Sequence, residues 1–236
     1  MPAPISRLVL LPGFDGTSTL FKDFVSALGA NFQSAWVRYP ADDCLSYEEL
    51  MPLVLPIMPA SEPFVLVAES FSTPIAIRYA AMKPPNLKGV VLCAGFARSP
   101  LRGWVRPAVR VLAPVFFRMG LPGFAARFLL IGYGAPNSLL SEVRAAVASV
   151  SPKVLGTRLR AVMACDVRAD LAKIEVPLLY LRAKQDHLVG KRCFAEIRRI
   201  KVDAQKAGVS GPHLLLQRKP KEAAEIVGNF VRHLTL

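Results

Sequence analysis

The feature that most constrains this chain is a set of short, uninterrupted apolar runs, each stopped by a turn or led into a helix. Leu8-Val9-Leu10-Leu11 ends at Pro12-Gly13, Phe64-Val65-Leu66-Val67-Ala68 runs into Glu69-Ser70, and Val90-Val91-Leu92-Cys93 and Leu178-Leu179-Tyr180-Leu181 repeat the pattern. Runs of this length without polar alternation read as strands buried on both faces, as in a parallel sheet. Ala35-Trp36-Val37-Arg38-Tyr39 is a fifth, less apolar strand candidate. Helical stretches fall between them, over about residues 18–28, 47–58, 74–82 and 221–234, with Pro74 in a first turn, where a missing N–H does no harm. Strand and helix alternate at both ends of the chain. That predicts an α/β class with a mainly parallel, doubly wound sheet.

Between Phe96 and Asp166 the alternation stops. No strand candidate appears, and Pro107, Pro114, Pro122, Pro136 and Pro152 divide the stretch into short helices. Connections in parallel sheets are normally short, so an insertion of this size reads as a lid over the strand ends. The expected organisation is a core of residues 1–96 and 166–236 with a helical cap over 97–165. At 236 residues and 53% hydrophobic, the chain can bury one large core and is far too apolar for a disordered binder.

The four cysteines, at 44, 93, 165 and 193, have no paired short spacing, so no zinc site or Cys-x-x-Cys redox site is expected. They read as buried thiols of a reducing compartment. Met1-Pro2-Ala3-Pro4 carries no basic n-region, and Val111–Phe117 is too short to span a bilayer. The expected location is cytoplasmic.

Chemistry enters at Val67-Ala68-Glu69-Ser70-Phe71-Ser72-Thr73-Pro74, where a central strand turns into a helix. A serine at such a junction is thrust out at the carboxyl edge of the sheet, which is the nucleophile elbow usually written G-x-S-x-G. Ala68 and Ser72 stand where glycines relieve the crowding. The competing account makes Ser70 only the N-cap of the following helix. A serine hydroxyl needs a base and an orienting acid, in the chain order serine, acid, histidine. Among three histidines, His213 lies in a Gly-Pro loop just before the last helix, His233 lies within that helix, and His187 follows an acid. His213 is therefore the expected base. Asp186, in the loop after Leu178–Leu181, is the expected acid, because Asp170 and Glu175 precede that strand and emerge at its other end. The oxyanion donors are expected to be the amides of Phe71, which follows the serine, and of Phe14 in Pro12-Gly13-Phe14-Asp15-Gly16.

With these residues in view the chain resembles the α/β-hydrolase superfamily over residues 5–96 and 166–236. It looks most like the small single-domain esterases that include the pimeloyl-acyl-carrier-protein methyl ester carboxylesterases. The resemblance implies a triad of Ser70, Asp186 and His213, oxyanion donors at Phe14 and Phe71, a cap over residues 97–165 and a sheet of about six strands without a leading antiparallel hairpin. Pro12 stands where many relatives have histidine, and Ala183 where a glycine is common. No cofactor and no metal is implied.

The formal charge is +13, and residues 97–165 hold ten bases against the single acid Glu142. Arg102, Arg106 and Arg110 recur every four residues, so a continuous helix would set them on one face, with Pro107 as a potential bend. Trp104, Phe116 and Phe117 lie among them and suggest contact with an acyl chain. The expected activity is hydrolysis of an ester of a short to medium acyl chain through an acyl-enzyme, with a carrier-bound substrate as one form. Acyl thioester cleavage is the nearest alternative, and a non-catalytic ligand-binding protein on the same fold is the alternative of another class. The arginines fit an acidic acyl carrier protein or an anionic membrane surface. Nucleic acid is not expected, since no recognition motif accompanies the charge.

Overall fold

This computed structural model describes residues 5–234, apart from the side chains of residues 113–115, and the stretch Met1–Pro4 read above lies outside them. The first half of the fold runs β1 (Arg7–Leu11), α1 (Lys22–Leu28), β2 (Gln33–Trp36), α2 (Tyr47–Val54), β3 (Phe64–Glu69), α3 (Thr73–Ala81) and β4 (Leu87–Cys93). Helices α4 (Arg106–Met119), α5 (Gly123–Ala126), α6 (Asn137–Ala148) and α7 (Pro152–Ala164) follow. The chain then runs through α8 (Arg168–Leu171), β5 (Leu178–Ala183), α9 (Lys191–Ile200), β6 (Gln205–Val209), α10 (Leu215–Arg218) and α11 (Pro220–His233).

The strands form one six-stranded sheet in the order β2-β1-β3-β4-β5-β6, and every neighbouring pair is parallel. The apolar runs explain why. Along β1, Val9 and Leu11 face a layer built with Leu50 and Val54 of α2, Ile75 of α3 and Ile197 of α9, whereas Leu8 and Leu10 face Phe24 of α1 and Val227 and Val231 of α11. A strand covered on both faces has no position left for a polar residue. Strand order reverses between β1 and β3, and in such sheets the carboxyl edge at the reversal is the usual place for a ligand.

Four elements go beyond the expected set: α8, α9, α10 and the edge strand β6. The second strand also lies earlier than expected, at Gln33–Trp36 and not Ala35–Tyr39. Val37 and Tyr39 instead turn along the loop after β1, the Val37 N–H donating to Leu10 O (3.0 Å) and that of Tyr39 to Gly16 O (2.9 Å). The arginine spacing is corrected as well. Arg102 precedes a 3-10 turn over Gly103–Val105, and α4 begins only at Arg106, so no single helix carries all three arginines. Pro107 sits in the first turn of α4 and does not bend it.

Residues 97–165 leave and rejoin the sheet at one neck. Arg98 bridges Asp166, the Ser99 N–H donates to Cys165 O (3.0 Å) and the Val167 N–H to Ala97 O (2.8 Å). Among the described residues no helix is long and apolar enough to cross a membrane.

Candidate active site

Ser70 follows the last residue of β3 and opens a 3-10 turn over Ser70–Ser72 that leads straight into α3. Its φ is 46°, a left-handed conformation that costs a non-glycine residue roughly 1–3 kcal/mol and persists only where the surroundings impose it. Ser70 is therefore not the N-cap of α3: that position belongs to Ser72, and Ser70 lies inside the 3-10 turn that Glu69 precedes. Crowding at the turn is real. A Cβ on Gly95 would meet Thr73 Cγ2 at 2.5 Å, and Thr73 Oγ1 both donates to Ser70 O (2.8 Å) and accepts from the Phe96 N–H (3.1 Å).

Ser72, which replaces the second glycine of the elbow, is wholly buried and its hydroxyl is used. It donates to Pro12 O and accepts from Tyr39 Oη (2.7 Å). A bond from the elbow to the loop after β1 is something glycine could not supply.

Asp186 and His213 arrive from the loops after β5 and β6. The Lys184 N–H donates to Val209 O (2.9 Å) and the Gln185 N–H to Gly211 O (3.0 Å), so the two loops are stitched together. Asp186 Oδ1 accepts the N–H groups of Leu188 and Val189, each at 2.8 Å, and Oδ2 lies 2.7 Å from His213 Nδ1. His213 Nε2 lies 2.8 Å from Ser70 Oγ. Because a carboxylate only accepts, Nδ1 carries the proton and Nε2 offers its lone pair to the serine hydroxyl. The structure thus brings Ser70, His213 and Asp186 into one hydrogen-bonded chain, with the side chains of the latter two almost wholly enclosed. His233 is exposed on α11 and bonded to Asn229 O, while His187 stacks on Phe128 at 4.6 Å. Neither enters the chain. Asp170 and Glu175 pair with Lys173 and Lys83 before β5, away from it.

The rings of Phe14 and Phe71 meet edge to face at 5.9 Å, which brings the loop after β1 against the elbow. Phe117 of α4 stacks on Phe14, also at 5.9 Å. Trp104 and Phe116 stay exposed. Arg102 and Arg106 line a cavity of about 600 Å³ together with Arg98, Arg192 and Arg199, and no residue of the serine–histidine–aspartate chain borders it. Arg110 is exposed and does not line it.

Sequence reasoning misses two buried groups beside the site. Arg158 of α7 is 2% exposed and donates to Phe14 O (2.9 Å), Asp15 O (2.7 Å) and Pro40 O (2.9 Å). Its guanidinium lies 5.7 Å from the Tyr39 ring centre and 5.9 Å from that of Phe71. Gly16 makes room for it: φ there is +70°, and a Cβ would come within 2.7 Å of the guanidinium. Glu69 is likewise buried. Burial, reinforced by the charge of Asp15, pushes its carboxyl up to about 7. Gln217 Nε2 donates to its Oε2 (3.3 Å), while Glu69 Oε1 and Gln217 Oε1 have no partner among the described residues. Only the position of Glu69, next to the serine, hints at a special environment in the sequence. Arg158 gives no local signal at all. Among the described residues no cluster of histidine, cysteine and carboxylate side chains could hold a metal.

The chain matches no protein-family model and no curated protein sequence. Solved structures do match it. A hydrolase from Oleispira antarctica superposes with a TM-score of 0.83 at 14% identity over 97% of this chain and 92% of that one. The enol-lactonase from Burkholderia xenovorans gives 0.82 at 17% identity over 97% and 92%. A thermophilic esterase from Thermogutta terrifontis gives 0.79 at 18% identity over 98% and 90%. The architecture shared with these proteins is the α/β-hydrolase fold.

Proposed function

We propose that this α/β-hydrolase fold carries a carboxylic ester hydrolase with Ser70 as nucleophile. The observation that carries the reading is the unbroken hydrogen-bonded chain from Ser70 Oγ through His213 to Asp186, at the carboxyl edge of a parallel sheet, with the serine in left-handed backbone. The fold neighbours described as hydrolase, enol-lactonase and esterase support the same class. The narrower resemblance to pimeloyl-acyl-carrier-protein methyl ester carboxylesterases rests on the sequence motifs alone.

In the proposed reaction His213 Nε2 takes the Ser70 hydroxyl proton as Oγ attacks the ester carbonyl. Asp186 holds the tautomer and stabilises the imidazolium that forms. Charge developing on the carbonyl oxygen is met by the amides of Phe71 and Phe14. Phe71 lies in the first turn of the 3-10 helix, where N–H groups have no partner within the helix. Collapse breaks the bond to the alkoxide, which leaves with the proton from His213. Water, deprotonated by His213, then cleaves the acyl-serine and releases the acid. Residues 97–165 act as the cap over this edge, and the Phe14, Phe71 and Phe117 rings offer an apolar wall for a short to medium acyl chain.

Labelling with a fluorophosphonate tests the reading directly. The wild-type chain is expected to label rapidly and to hydrolyse p-nitrophenyl esters, fastest for acyl chains longer than acetyl. Ser70→Ala is expected to remain folded while losing both properties, with turnover down on the order of 10³-fold or more. A folded Ser70→Ala protein that keeps a tenth of the activity would refute the assignment. A wild-type chain that neither labels nor turns over any ester would leave the ligand-binding alternative. Acyl thioesters run in parallel decide between the two hydrolase readings.

A further inference from the structure

The outer face of α4 is apolar and faces solvent. Ala108, Val111, Leu112, Phe116 and Met119 recur at spacings of three and four, which puts them on one side of the helix, and all are exposed. Trp104 just before α4 and Phe124 in α5 extend the set. Trp104, Val111, Leu112, Met119 and Phe124 are each between 64% and 80% exposed. Phe117, on the other side of the helix, is half-buried and packs on Phe14. Isolated apolar residues on a surface need no explanation, but a continuous stripe of large ones marks an interaction surface.

The charge around the stripe identifies the partner. From residue 97 to 141 the chain contains no carboxylate, while Arg98, Arg102, Arg106, Arg110, Arg118 and Arg127 lie within it. Two of these, Arg102 and Arg106, flank Trp104 and line the cavity with Arg98, Arg192 and Arg199. The one acid on that wall, Glu196, is already paired with Arg168 at 3.6 Å. Ser99 Oγ and Arg106 Nε are buried there without a partner among the described residues. A helix with an exposed apolar face, a tryptophan at its start and unneutralised arginines at its root suits an interface that is apolar inside and anionic at its surface.

We propose that α4 and the turn before it dock the protein onto an anionic phospholipid bilayer, the apolar stripe entering the acyl boundary and the arginines meeting headgroup phosphates. A second copy of this chain is disfavoured as occupant because each copy would bring the same positive charge. An acidic protein would match the arginines, but charge alone leaves the large exposed side chains of the stripe without an apolar partner. A bilayer requires no matching shape. The proposal concerns binding and stands whether or not Ser70 is a nucleophile.

The test is co-sedimentation of the full chain with vesicles of phosphatidylcholine alone and of phosphatidylcholine mixed with phosphatidylglycerol. Wild type is expected to sediment with the mixed vesicles and much less with the neutral ones, and to be released in part by salt. Val111→Asp combined with Met119→Asp is expected to weaken partitioning by about tenfold or more, since two large side chains leave the acyl boundary. Both residues are exposed, so the thermal midpoint of the variant and its hydrolysis of a small soluble ester should match wild type. Failure of the wild type to sediment with either vesicle would overturn the proposal, as would unchanged sedimentation of the doubly substituted variant. So would a wild-type dimer that becomes monomeric in that variant, which would make the stripe a self-interface. Stronger retention on an acidic carrier protein than on mixed vesicles would assign the surface to a protein partner.

Discussion

Glu69 should give the protein a distinctive dependence of stability on pH. Its carboxyl is raised from an ordinary 4.5 to about 7, first by burial and then by the charge of Asp15. Between those two values the folded chain holds a proton that the unfolded chain has released. Raising the pH through that window therefore favours unfolding, and the whole penalty is present above about pH 7. At 1.36 kcal/mol per unit, the shift amounts to about 3 kcal/mol. Glu69→Gln keeps the shape and removes the titration. The variant is expected to match wild type near pH 4 and to exceed it by about 3 kcal/mol near pH 8.5, a difference on the order of 1 M in urea midpoint. Urea denaturation of both proteins across this range is the measurement. Other groups titrate in both and largely cancel in the difference. Parallel pH profiles would refute the reasoning, because they would mean that the wild-type carboxyl is ionised at little cost throughout the window.

Two further outcomes follow from the contacts behind the elbow. Arg158→Met removes the donor from one buried and two partly buried carbonyls, up to about 1–3 kcal/mol each, partly offset by the relieved desolvation of the guanidinium, for a net loss of about 2–4 kcal/mol. Calorimetry should show a fall in Tm on the order of 5–15 °C, and kcat for a p-nitrophenyl ester should fall more than KM rises; a Tm within about 2 °C of wild type would contradict the assigned bonds. Ser72→Ala leaves Pro12 O and Tyr39 Oη without their shared partner and should cost about 1–3 kcal/mol by urea denaturation, whereas an unchanged midpoint would mean that the hydroxyl merely fills space.

Legibility in the sequence follows burial. β1, β3, β4 and β5 are readable because each contains at least four consecutive apolar residues covered on both faces. The edge strands are not. β6, Gln-Lys-Ala-Gly-Val, is exposed over its first two residues and pairs on one side only, so neither continuous nor alternating apolarity is demanded of it. β2 is an edge strand too, and its apparent run slides onto Val37 and Tyr39, which are buried but belong to a loop. Ser70 and Asp186 could be picked out because each follows a readable run, β3 and β5 respectively, and His213 because it lies in a Gly-Pro loop just before the last helix. Arg158 could not. In sequence it is one arginine in a basic segment, and its burial depends on carbonyls 118 to 144 residues away. The same blindness affects the stripe on α4, whose period of three and four looks like that of any core-facing helix until the structure turns it outward.

The loop Pro12–Gly16 is clamped from two directions. Ser72 holds Pro12 O from the elbow side, and Arg158 holds Phe14 O and Asp15 O from the side of α7. The peptide that presents the Phe14 amide is thus restrained at the carbonyl preceding Gly13 and at the carbonyl of Phe14 itself. Donors aimed before the substrate arrives need no reorganisation as charge develops, which is the condition under which such donors stabilise a transition state most. Since Arg158 belongs to α7, the same contact ties the position of the proposed cap to the geometry of the proposed oxyanion site. Loosening the cap should therefore reduce turnover through the loop after β1 even where no cap residue touches the ester.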